Sequence, residues 1–75
     1  MMEIIYRFDG EEFKEDDLIQ VIRRNPFSEE KSEIVGRVVK SLLTTELVLD
    51  VSRRYHSETI TLNIDEIVKI IKFNN

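Results

Sequence analysis

Apolar residues recur along this chain at two different periods, and the change from one to the other sets the expected elements. Residues 3–8 alternate: Ile4, Tyr6 and Phe8 share one face, and Ile5 and Arg7 the other, which predicts a strand. Asp9-Gly10 follows. That dipeptide signals a two-residue hairpin, because both central positions of the favoured turn need positive φ. Glu11-Glu12-Phe13-Lys14 then reads as a short return strand, or as a loop into the next element.

The spacing then becomes helical. Leu18, Val21 and Ile22 form an apolar stripe with Ile19 at its margin, which predicts a helix from Asp16 or Asp17 to about Arg24. Acids at its start and Arg23-Arg24 at its end suit the helix dipole. Asn25-Pro26 stops it, since the residue before proline avoids the helical region. Ser28 is positioned to cap a second helix, with Glu29 and Glu30 in its first turn. Ile34, Val35, Val38, Val39, Leu42 and Leu43 continue it as an amphipathic stripe, and Glu33 and Arg37 make an i,i+4 pair. Gly36 falls in the middle of that stripe at a cost of about 1 kcal/mol relative to Ala, which points to a close approach there.

Alternation returns after Thr44-Thr45. Leu47, Leu49 and Val51 share a face across residues 46–52, and Ile60, Leu62 and Ile64 do so across 59–64. Two antiparallel strands are expected, joined by the polar segment 53–58. After a bend at residues 63–66, residues 67–73 read as a further strand, with a helix as the alternative because Ile64, Ile67, Val68 and Ile71 also fit helical spacing. The expected fold class is therefore α+β in the order ββααβββ. Three to four antiparallel strands form one sheet with two helices packed on one face, with a helix as the alternative for the last element.

Seventy-five residues suffice for one domain spanning 1–75. A domain this small buries only about 60% of its unfolded surface, so self-association or a complex would add to a thin margin. If residues 67–73 form a strand apolar on both faces, a homodimer is the expected cover for the second face. The core is drawn from ten Ile, seven Val and six Leu, with no Ala. The absence of Cys excludes disulfides and thiolate chemistry. Met1-Met2-Glu3 begins no secretory signal, and no apolar run approaches the ~20 residues of a membrane span. The expectation is a cytoplasmic protein without membrane contact.

Catalytic chemistry has little to work with. His56 is the only histidine, and it lies in a polar turn where it reads as an exposed residue with no nucleophile placed beside it. Two glycines cannot make a phosphate-cradling loop, and Asp9-Gly10-Glu11 has its glycine in the wrong place for a calcium loop. No enzyme activity, cofactor or metal is expected.

Charge is more informative in its pattern than in its total of −4. Asp9, Glu11, Glu12, Glu15, Asp16 and Asp17 crowd one short stretch, to which Glu29, Glu30 and Glu33 add if the two helix starts share a side. These acids read as a patch for a basic surface on another protein, or as helix-terminal charge alone. Arg53, Arg54, Tyr55 and His56 are the opposite feature, able to grip phosphate or stack on a base. The bland reading of those four is a solvated hairpin turn; the mild overall acidity makes nucleic acid the less expected partner.

The expectation is thus a non-enzymatic protein-binding domain whose acidic patch meets a basic partner surface. A composition suggesting an AT-rich genome fits an inhibitor or adaptor encoded by a phage or mobile element. The alternative is a nucleic-acid-associated regulator acting through Arg53, Arg54, Tyr55 and His56.

Overall fold

In a computed structural model, described for residues 4–25, 27–28, 30–41 and 43–73, strands account for nearly all regular structure. The chain runs through β1 (Ile5–Phe8), β2 (Glu11–Lys14), β3 (Leu18–Arg24), β4 (Lys31–Val39), β5 (Glu46–Asp50) and β6 (Thr59–Asn63). A 3-10 turn (Ile64–Glu66) then leads into β7 (Ile67–Lys72). β1 and β2 form a two-stranded sheet, and the other strands form an antiparallel sheet in the order β6-β5-β4-β3-β7.

The expected α+β class with two helices is therefore corrected: the described residues form seven strands and no α-helix. The segments read as helices are β3 and β4, which pair along their length from Leu18↔Arg37 to Arg24↔Lys31. Their apolar residues fit both periods because both faces of these strands carry some. Ile19 and Val21 point inward and are buried, while Leu18 and Ile22 lie half-buried on the outer face. Most of the apolar residues in these segments are β-branched, which suits a pleated surface and crowds a helix. Arg37 stands opposite Leu18 and Glu33 opposite Ile22, so the expected helical pair is instead spread about 13 Å along one strand. Asp16, Asp17 and Ser28 cap no helix. Asn25 sits in the β3–β4 loop, where its Oδ1 accepts from Phe27 N–H at 3.0 Å; Pro26, Glu29 and Leu42 fall outside the described residues.

The strands expected elsewhere are present. β1 and β2 meet through Asp9 (φ 48°) and Gly10 (φ 84°), closed by Phe8↔Glu11. β5 and β6 pair from Glu46↔Asn63 to Asp50↔Thr59. Residues 67–72 are strand, and their register with β3 shifts between Ile22 and Arg23, opposite Lys69 and Ile67. That bulge leaves Val68 as the extra residue, so Ile67 and Ile70, three apart, both turn into the core.

The register also shows how a single sheet buries a core without helices. Thr59, Asp50, Arg37 and Leu18 stand in one row across β6, β5, β4 and β3, and Phe73 N–H donates to Leu18 O at 3.1 Å on the β7 side. β6 leaves this row running towards Asn63, and β7 returns to it from Ile67 running the same way. Laid flat, the outermost strands would be about 19 Å apart. The four peptide links from Asn63 to Ile67 span at most ~15 Å and would also have to climb back past the row. The sheet must therefore roll, its strands tilted and staggered as in a barrel. The inner face of the roll holds Ile19, Val21, Val38, Leu47, Leu49, Leu62, Ile67 and Ile70. The β1–β2 hairpin adds buried Phe13, with Tyr6 stacked on it at 5.6 Å between ring centres.

Candidate functional site

β1 has one edge engaged and one open. In a hairpin closed by a two-residue turn, the pair flanking the turn is hydrogen-bonded and the pairs then alternate. Phe8↔Glu11 and Tyr6↔Phe13 are thus the bonded pairs, and the backbone groups of Arg7 and Ile5 point away from β2. No described strand pairs with that outward edge. Along it runs a cleft of about 420 Å³, whose other wall is Ser41, Leu43, Thr44, Glu46, Leu47 and Ile64. Ile5 and Leu43, on the two sides, are 58% and 56% exposed.

Few polar groups reach the cleft, and Tyr6, Ser41 and Arg7 among them are held. Tyr6 Oη accepts from Ser41 N–H at 3.0 Å, which ties the hairpin to the β4–β5 loop. Ser41 Oγ donates to Leu43 O at 2.9 Å, shaping the far wall. Arg7 Nε lies 3.0 Å from Glu12 Oε1 across the hairpin, an exposed pair of small energetic worth. The lining is mostly apolar and of a size typical for a ligand cleft.

The acidic residues fall into two groups. Asp9, Glu11 and Glu12 lie on the hairpin, where Asp9 forms the turn and Glu12 meets Arg7. Glu15, Asp16 and Asp17 form the next turn, which joins the hairpin to the roll. Asp16 adopts φ 74°, Asp17 N–H donates to Lys14 O at 3.1 Å, and Asp17 Oδ2 accepts from Lys14 N–H at 2.9 Å. Asp17 Oδ2 also lies 3.5 Å from Lys72 Nζ, and Arg37 Nη1 donates to Asp16 O at 3.1 Å. The Asp17 carboxylate is thus occupied in structure, and Asp16 is held through its main chain. Glu33 does not join them, since it stands on β4 four residues before Arg37, opposite Ile22. Even so, residues 4–17 hold six acids against two bases, a net of −4 equal to that of the whole chain. The remainder is nearly neutral.

Arg53, Arg54, Tyr55 and His56 form the tip of the β5–β6 hairpin, past the end of β5 opposite to Glu46 and Leu47, which line the cleft. Arg53 N–H donates to His56 O at 2.7 Å and His56 N–H to Arg53 O at 3.0 Å, leaving Arg54 and Tyr55 at the turn. The Arg54 guanidinium lies 5.7 Å from the centre of the Tyr55 ring, and His56 Nε2 lies 3.3 Å from Glu58 Oε2.

The chain matches no protein-family model, and no curated sequence or solved structure resembles it significantly. The site therefore has to be read from its own geometry. Among the described residues no cluster of three metal-ligating side chains occurs, and no helix is long and apolar enough to cross a membrane.

The sequence reading missed the cleft. Its walls come from residues 4–8, 13, 41, 43, 44, 46, 47 and 64, brought together only by the roll. The one local signal was Ile4-Ile5, which places an apolar residue on each face of a strand that a small sheet can cover on one side only.

Proposed function

We propose that this protein is a non-enzymatic binding module that captures an extended segment of another protein by adding it as a strand to β1. The open edge of β1, running beside the apolar cleft, carries this reading. Main-chain bonds from Ile5 and Arg7 would hold the segment, and alternate side chains would enter the cleft. The net charge of −4 over residues 4–17 favours a segment flanked by Lys or Arg. A small adaptor or inhibitor acting on a basic host protein fits this use, and a chain without Cys suits a reducing compartment such as the cytoplasm.

Ile5→Pro tests the reading. The Ile5 N–H points outward, so proline removes a docking donor and leaves the β2 ladder intact. Peptides selected from a displayed library should alternate apolar residues, carry basic flanks, protect the Ile5 and Arg7 amides from exchange, and lose binding to the variant. Selected peptides that bind Ile5→Pro as well as the parent would overturn it. The same edge is open to a second copy: a dimer by light scattering that dissociates on Ile5→Pro makes this chain its own partner.

A further inference from the structure

The end of the roll remote from the acidic hairpin has a different character. β3 and β5 run in the same direction, both antiparallel to β4, so the loop after β3 and the arm after β5 leave the sheet at the same end. Leu18 and Asp50 share one row through Arg37. From that row β3 rises six residues to Arg24 and the arm five residues to Tyr55, about 20 and 17 Å. Two strand spacings, about 10 Å, separate their bases. Each tip presents one aromatic ring to solvent: Phe27 is 96% exposed and Tyr55 92%. Each is preceded by an arginine pair, Arg23-Arg24 and Arg53-Arg54.

The arm is built to hold its ring out. Val51 N–H donates to Glu58 O at 3.0 Å, Glu58 N–H to Ser52 Oγ at 3.2 Å, and Arg53 and His56 exchange main-chain bonds at the tip. Its one acid, Glu58, faces His56, and among the described residues neither Arg53 nor Arg54 is in an ion pair. At the loop, Arg23 Nε is buried with no hydrogen-bond partner.

From this we infer that the two hairpin tips bind single-stranded nucleic acid, stacking bases on Tyr55 and Phe27 and holding phosphates with the arginines. A base needs a flat ring face and a nearby cation; at the arm Arg54 lies 5.7 Å from the Tyr55 ring, and at the loop Phe27 follows Arg24 by three residues in the chain. Residues 52–58 contain no aliphatic side chain, so the tip lacks the apolar surroundings of a protein-interface anchor or a membrane wedge. The overall acidity does not oppose this surface, because the net charge is concentrated in residues 4–17 at the other end of the roll. This inference is independent of strand capture at β1.

Fluorescence anisotropy of a labelled ~12-nucleotide oligo-dT at ~20 mM salt tests it. Saturable binding that weakens with salt is expected. Tyr55→Ala should lower affinity about ten-fold or more, and Phe27→Ala should act in the same direction. The double variant Arg53→Ala/Arg54→Ala should reduce the salt slope by about two. These side chains are solvent-exposed, so an unchanged thermal midpoint is expected to certify the fold of each variant. No anisotropy change at ~1 mM protein, binding indifferent to these substitutions, or a duplex bound as well as the single strand would each overturn the inference.

Discussion

A Cβ placed on Gly36 would stand 2.8 Å from the carbonyl oxygen of Asp50. Gly36 is the inward residue of β4 at the point where β5 leaves it, and Val51 Cγ1 and Leu49 Cβ would lie at 3.0 and 3.2 Å. The close approach read from the sequence is real, but it is between strands. A backbone carbonyl fixed in a sheet cannot swing aside as a side-chain tip can. Gly36→Ala is expected to destabilise the protein by about 1–3 kcal/mol, read as a lower urea midpoint at unchanged slope. An unchanged midpoint would mean that β4 and β5 do not approach this closely.

Gly10 should fail for a different reason. Its φ is +84° and nothing lies within 4 Å of an added Cβ. Gly10→Ala should cost about 1–2 kcal/mol through backbone strain alone. D-alanine, which favours positive φ, should restore stability at residue 10 in a synthetic chain and should not do so at residue 36. Equal outcomes at the two glycines would contradict this division.

The bond from Ser41 N–H to Tyr6 Oη is a polar link between the β1–β2 hairpin and the β4–β5 loop. Tyr6→Phe keeps the ring stacked on Phe13 and leaves the half-buried Ser41 amide unpaired. A loss of about 0.5–1.5 kcal/mol is expected. Hydrogen exchange at the Ser41 amide should accelerate by more than the loss of global stability explains, and exchange that follows global stability alone would argue against the link.

Asp50 supplies a pH dependence. Hydrogen bonding from the Ser52 side chain, then from the Ser52 N–H at 2.9 Å, holds its carboxyl below the usual carboxylate range; desolvation opposes this and Arg37 across the strand adds to it. A carboxyl lowered in the folded state binds its proton first in the unfolded state. Its contribution is therefore complete above the ordinary value of about 4 and is lost as pH falls through the lower folded value. Asp50→Asn should show a shallower fall in thermal midpoint than the parent below about pH 4. Parallel acid profiles would remove Asp50 as a cause.

How much was legible follows from where each instruction resides. Asp9-Gly10 sets the first hairpin locally, because few residues other than these tolerate two successive positive φ values. The β5–β6 hairpin is equally local: Leu47, Leu49, Ile60 and Leu62 alternate cleanly since only one face of those strands is buried. Residues 18–24 and 31–39 carry apolar side chains on both faces, a pattern that a helix of period 3.6 satisfies as well as a strand of period 2. Their β-branched content and Gly36 leaned towards strand, but local preference is a weak guide beside a ladder that runs from Leu18↔Arg37 to Arg24↔Lys31.

The amino-acid sequence by itself determined the turn at Asp9-Gly10 and the polar turn within residues 53–58, the alternating strands at either end, the charge concentrated in residues 4–17 and the absence of thiol chemistry. Each of these depends on neighbours in the chain or on composition. Tertiary structure alone decided that β3 and β4 are strands, that β6 and β7 meet by rolling the sheet, and that residues 4–8 enclose a cleft with Ser41, Leu43, Thr44, Glu46 and Leu47. Those outcomes depend on backbone hydrogen bonds and packing between residues tens of positions apart, whose register no local window contains.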